Sequence, residues 1–390
     1  MIIISSLLCN QRCPYCFFYK QNSMYFSFYK KNKEILNQKI IDILNYLYKE
    51  KEYYLLRFFW AEPLLNRDLP EQIKTIIEWL SKDKQIKIYL NTNLSINIYI
   101  LDRIKDYLIY FLSKWFSIEL NVIITFSWIK EYFQKLRNID DTSYNNIKKN
   151  LDLLYLYKQQ IRFRNFKINI INNYVFDIKL LNNLIKQFDN SRKNKYNNKI
   201  NFNKDFFMKI KNNSNISTRF IKELVIRDLI SLKENYKIFY FNILPVFYRF
   251  LWSEQELNEL SEILKWIKNI NKKYNILPKP ENYFEQNFKL NNKYYIPLYP
   301  YNLVVDYYWN YSYNLINYED FSFQLLNQWN ILNLDNKHYN QLNLSLNEEK
   351  IKTTYQEIID ILNNRFWQNM INNMKQLAYL TNKILYNDNN

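Results

Sequence analysis

The amino-acid sequence predicts an α/β protein, a partial and open (β/α) barrel followed by a C-terminal α+β extension. Apolar runs of strand length alternate with stretches of helical spacing through about residue 245, an order that gives parallel βα units joined by right-handed crossovers. The stretches richest in chemically capable side chains fall directly after the predicted strands, where barrels of this kind carry their chemistry. With 390 residues, 48% of them hydrophobic, the chain can bury a core of that size. The expected division is residues 1–245 for the barrel and 246–390 for the extension, with the junction between Asn242 and Pro280.

Met1 to Leu8 reads as a short buried strand running into a cysteine-rich loop. Glu34 to Glu50 places Ile35, Leu36, Ile40, Ile43, Leu44 and Leu47 at helical spacing and is the first crossover helix. Further strands are expected at Tyr53–Phe59, Ile86–Leu90, Ile118–Phe126, Phe166–Ile171 and Tyr236–Phe241. The helices between and after them are expected at Pro70–Ser81, Ile98–Lys114, Ser143–Tyr157, Ser217–Leu232 and Ser253–Asn271. Lys193–Asn215, rich in Lys and Asn, is too polar for deep burial, and Pro278 and Pro280 punctuate the chain before the extension.

Composition narrows the setting. The most apolar region, Tyr107 to Trp128, is interrupted by Lys114, Glu119 and Asn121, so no membrane span is expected. A cytoplasmic protein is expected, because three clustered cysteines do not make a disulfide framework. The net charge of +17 would suit a polyanion, but the lysines are scattered instead of forming one stripe, and nucleic acid is not an expected partner. The bias toward Lys, Asn, Ile, Tyr and Phe is what an AT-rich coding sequence imposes. Glycine is absent altogether, where average usage would give roughly 27. Turns needing positive φ must fall to other residues, chiefly Asn, and Asn172-Asn173 and Asn212-Asn213 are the expected sites.

All three cysteines lie in Cys9-Asn10-Gln11-Arg12-Cys13-Pro14-Tyr15-Cys16. Spacings of three and two residues let three thiolates converge on one soft centre. Three ligands leave a fourth position open, as a reactive iron-sulfur cluster requires, whereas structural zinc is normally closed by four protein ligands. A three-cysteine zinc site completed by a remote ligand is the alternative, and the one histidine, His338, is distant in sequence.

This motif, following a first strand, resembles that of the radical S-adenosylmethionine (radical SAM) enzymes, whose fold is a partial TIM-like barrel. The resemblance implies that Cys9, Cys13 and Cys16 hold one [4Fe-4S] cluster and that S-adenosylmethionine (SAM) completes the fourth iron. Trp60-Ala61-Glu62-Pro63 then stands where the family has Gly-Gly-Glu-Pro, and Asn91-Thr92-Asn93-Leu94-Ser95 resembles its Thr-Asn-Gly turn. By resemblance Tyr15, Ala61, Glu62, Pro63 and Asn93 contact SAM, with the Glu62 carboxylate pairing to its ammonium.

Later stretches resemble the family's peptide-modifying branch. Thr125 to Glu131 lies where that branch has Ser-x-Asp-Gly, with Ser127 in place of the aspartate, and Lys135-Leu136-Arg137 matches a following Lys-x-Arg. Leu303 to Asn310 and Gln328-Trp329-Asn330-Ile331 resemble the hairpin of the SPASM extension, although no cysteine follows Cys16 to bind auxiliary clusters. The implied function is radical modification of a peptide or small protein, driven by an external electron donor. The alternative is a catalytically impaired homologue that binds peptides. Trp60, Trp128, Trp309 and Trp329 each occupy a family glycine position, a pattern that a reassigned UGA codon would produce.

Overall fold

The computed structural model describes residues 2–3, 9–14, 37–38, 40–41, 44–45, 48–49, 52–58, 62–95, 99–109, 116–161, 164–184, 216–245, 253–277, 288–290, 293–297, 304–305, 310–317, 323–330 and 384. Among them the parallel strands β1 (Ile2–Ile3), β2 (Tyr53–Phe58), β3 (Gln85–Asn91), β4 (Ile118–Ile124), β5 (Phe166–Phe176) and β6 (Phe241–Pro245) lie side by side in sequence order. The sheet does not close. Strands β7 (Phe288–Leu290), β8 (Lys293–Pro297), β9 (Val304–Val305), β10 (Asn310–Asn317) and β11 (Phe323–Asn330) extend it beyond β1, with β9 parallel to β1 and β10 antiparallel to β9.

Period-two burial along β2 and β3 gives the sheet two unlike faces. Leu56, Phe58, Ile88, Leu90, Leu120, Val122, Ile168 and Ile170 belong to the main core. Against this core pack α1 (Leu69–Glu78), α2 (Tyr99–Tyr107), α3 (Lys130–Arg137), α4 (Asp141–Gln160), α5 (Ile216–Tyr236) and α6 (Glu254–Tyr274). The other face carries the cross-strand row Arg57, Tyr89, Asn121 and Asn169. Arg57 sits over the Tyr89 ring, and Asn169 Nδ2 donates to Asn121 Oδ1 and Glu119 Oε1, each at 3.0 Å. Polar side chains on one face and a continuous apolar layer on the other are what an open barrel with a ligand-facing interior requires.

The helices show their local causes. α6 begins with a capping box, in which the Ser253 hydroxyl accepts from Glu256 N and the Glu256 carboxylate accepts from Ser253 N. α4 starts at Asp140, whose carboxylate accepts from Ser143 N. Both α3 and α6 end on an asparagine in the left-handed region, Asn138 at φ 53° and Asn275 at φ 49°. Asparagine thus takes over the C-terminal cap that glycine usually fills.

Several elements differ from expectation. Asn172-Asn173 is not a turn: β5 runs through both to Phe176, because buried Asn172 is held by Phe126, donating to its carbonyl at 2.9 Å and accepting from its N–H at 3.1 Å. Asn212-Asn213 lies outside the described residues. The sixth strand begins at Phe241 and not Tyr236, because α5 continues to Tyr236. Helix α3 was not expected, since its eight residues are too few for a clear period.

Candidate functional site

The cysteine loop, the segment after β2 and the turn after β3 meet at the C-terminal ends of the parallel strands. Cys9 is exposed and Cys13 buried. Although Cys9 reaches solvent, the surrounding chain desolvates its thiol and pushes it up to about 11, against a lowering backbone hydrogen bond at Gln11. Cys13 donates to Gln11 Oε1 at 3.7 Å, and the same oxygen accepts from Arg137 Nε at 2.8 Å and Nη2 at 2.6 Å. Arg137, at the end of α3, is buried.

Glu62 is fully buried at the start of the short 3-10 turn Pro63–Leu65. Its Oε1 accepts from Leu64 N at 3.1 Å and Thr92 Oγ1 at 2.9 Å, and its Oε2 accepts from Asn93 N at 2.6 Å. Burial raises the carboxyl to about 7, while these donors and the Arg137 charge oppose the rise. Glu62 thereby ties the segment after β2 to the turn after β3.

Within that turn Leu94 stands at φ 54°, the conformation a glycine would adopt without cost. A non-glycine residue there costs about 1 kcal/mol. The Leu94 side chain is buried in the main core, which offsets that cost by roughly 2 kcal/mol. Asn150 on α4 donates to the Leu94 carbonyl at 2.7 Å, fixing the turn from a second side. The Asn93 side chain points back to the cysteine loop: Nδ2 donates to Asn10 Oδ1 at 2.9 Å and lies 3.7 Å from Cys9 Sγ.

Of the residues expected at the site, Cys9, Cys13, Glu62, Pro63 and Asn93 are thus brought together. Cys16, Tyr15 and Ala61 lie outside the described residues, as do Trp60 and Trp309. No three His, Cys, Asp or Glu side chains among the described residues gather as a metal site, the third motif cysteine not being among them. The residues present fit a cluster. Their metal donors are thiols, the ligands iron-sulfur clusters take. Gln11 Nε2 is also buried in the cysteine loop without a hydrogen-bond partner, a donor suited to an acceptor-bearing group beside it.

A second buried carboxylate was not expected. Asp228 on α5 accepts from Ser127 Oγ at 2.6 Å, Trp128 N at 2.8 Å and Tyr174 Oη at 2.8 Å. Burial raises it to about 6. It secures the segment after β4, where Trp128 stacks on Tyr236 at 5.6 Å and meets Phe126 edge-on at 5.4 Å. Trp128 has no positive φ, so its backbone does not demand glycine. A lone Asp inside a helix pattern offered no sequence signal.

The radical SAM superfamily model matches residues 3–157. No curated protein sequence matches the chain. Among solved structures, one described as native anSMEcpe with bound AdoMet and Cp18Cys peptide is 14% identical, with a TM-score of 0.48 over 90% of this chain and 81% of that one. Another, native anSMEcpe with bound AdoMet, has the same identity and TM-score and is covered to 82%. The superfamily's cofactors are a [4Fe-4S] cluster and SAM, and the cysteine loop that would hold the cluster lies within the matched residues. The similarity to the radical SAM superfamily thus spans residues 3–157, which include the cysteine loop, Glu62 and Asn93.

Proposed function

We propose that this protein is a peptide-modifying radical SAM enzyme, an oxidoreductase with one cluster on Cys9, Cys13 and Cys16. The observation that carries the reading is the convergence of Cys9, Cys13, Glu62 and Asn93 at the ends of parallel strands. When bound, the reduced cluster and SAM supply a carbon radical that removes a hydrogen atom from the substrate. The chain's own share is to orient SAM and exclude water. Tyr15, Ala61, Glu62, Pro63 and Asn93 are the residues assigned to SAM, and three of them, Glu62, Pro63 and Asn93, lie in the segments that pack beside Cys9.

The peptide half of the reading is supported by the sequence resemblance to SPASM maturases. The described ends of its two motif segments, Asn310 and Gln328–Asn330, lie on the antiparallel pair β10–β11, where Asn310 faces Asn330 and Tyr311 faces Trp329. Residues 1–245 and 246–390 are the proposed barrel and extension. A cytoplasmic location agrees with the lack, among the described residues, of a helix long and apolar enough to cross a membrane. An external reductant is the proposed electron source.

The test is anaerobic reconstitution of the full chain, followed by incubation with a reductant, SAM and any short peptide encoded beside it. About four irons per chain and release of 5′-deoxyadenosine are expected, and Cys13→Ala should abolish the cluster because two thiolates are too few. A single colourless zinc would overturn the reading. Iron without SAM cleavage would leave only the impaired, peptide-binding homologue.

A further inference from the structure

We propose that Asn93 is a positioning residue for the iron-sulfur cluster, donating a hydrogen bond from Nδ2 to the Cys9 sulfur and raising the cluster's reduction potential. This rests on the cluster reading above and goes beyond the assignment of Asn93 to SAM.

The orientation of the Asn93 amide is fixed by its partners. Oδ1 accepts from Ser95 N at 2.8 Å and Ser95 Oγ at 2.7 Å, so Nδ2 is the end that faces Cys9 Sγ and Asn10 Oδ1. Asn10 closes the circuit by donating from its own Nδ2 to Ser95 Oγ at 2.7 Å. The cysteine loop is therefore clamped to the turn after β3 by these side chains. At 3.7 Å an N–H···S contact is within ordinary reach of a sulfur acceptor, and it strengthens when the sulfur is an iron-bound thiolate carrying negative charge.

The clamp is braced from behind. The Asn93 backbone N–H is held by the buried Glu62 carboxylate at 2.6 Å, and Thr92, held by the same carboxylate, accepts from Leu94 N at 3.1 Å. Glu62 therefore acts on the cysteine loop through Asn93. Donors to cluster sulfurs stabilise the more negative, reduced state, which raises the potential.

The experiment is an EPR-monitored redox titration of the anaerobically reconstituted full chain, with iron content and SAM affinity measured on the same samples. Asn93→Leu keeps the approximate shape and loses the donor, and Asn93→Asp replaces the donor with a charge. Both should retain about four irons per chain. Both should shift the midpoint potential to more negative values, Asn93→Asp further. Ser95→Ala, which removes the hydroxyl that donates to Asn93 Oδ1 and accepts from Asn10 Nδ2 while keeping the Ser95 N–H donor, should give a smaller shift in the same direction. If Asn93→Leu loses iron, a retained cluster with a lowered potential in Ser95→Ala still supports the clamp, and an unchanged potential there overturns it. Unchanged potential in iron-replete Asn93→Leu also overturns it, and a loss of SAM affinity alongside would return Asn93 to SAM contact. Absence of a [4Fe-4S] cluster from the parent itself would instead sink the underlying functional reading.

Discussion

Two buried carboxylates each organise a segment that follows a strand, and they do so for different ends. Glu62 receives Leu64 N–H, Thr92 O–H and Asn93 N–H, and its network leads through Asn93 to the Cys9 sulfur. Asp228 receives Ser127 O–H, Trp128 N–H and Tyr174 O–H, and its network ends in the packed rings of Phe126, Trp128 and Tyr236. In a protein without glycine, tight backbone turns cannot rely on a residue free of steric restriction. Here a charged acceptor gathers their N–H groups, since a buried polar group left unpaired costs more than a paired one stabilises. The difference teaches that one device serves the proposed cluster site at the first turn and the core at the second.

The sharpest way to break this comparison is to delete the second acceptor. Asp228→Ala strands two hydroxyls and one backbone N–H in the core and should cost ~3 kcal/mol or more in chemical denaturation, with iron per folded chain unchanged. Glu62→Gln keeps an oxygen acceptor and should cost ~1–2 kcal/mol, while perturbing the cluster's potential through Asn93. An equal stability loss in the two, or loss of iron in Asp228→Ala, would erase the distinction between cofactor and core.

A milder change isolates charge. Asp228 titrates near 6 when folded against an ordinary 3.8, so between those values the folded chain binds more protons than the unfolded one. Its contribution is fully present below the unfolded value and falls as pH rises through the folded one, by about 3 kcal/mol. Asp228→Asn should remove that slope. Unfolding midpoints of parent and variant between pH 4 and pH 7 decide it: parallel curves would mean that Asp228 is not the titrating group.

The smallest expected effect sharpens the first turn alone. Leu94→Ala and Leu94→Gly both empty a core position and should each cost ~2–4 kcal/mol. Only glycine relieves the positive φ, so Leu94→Gly should be the more stable of the two by ~0.5–1 kcal/mol. The ordinary order, with alanine ahead, would show that the turn does not hold Leu94 in the left-handed region.

The sequence by itself determined the order of the parallel units, because strand and helix periods are local and survive without glycine signals. It also located Cys9, Cys13, Glu62 and Asn93, which lie in short segments directly after strands. Short or long-range features were hidden. α3 is too brief to show a period, and Asn172 looked like a turn because its partner, Phe126, lies on another strand connection. Only tertiary structure decided that Glu62 faces inward to the turn after β3, that Asn93 reaches Cys9, and that Asp228 belongs to a segment a hundred residues earlier. The physical reason is the same in each case: a buried carboxylate or amide takes its role from the donors and acceptors that folding brings to it, and those come from other strands and helices.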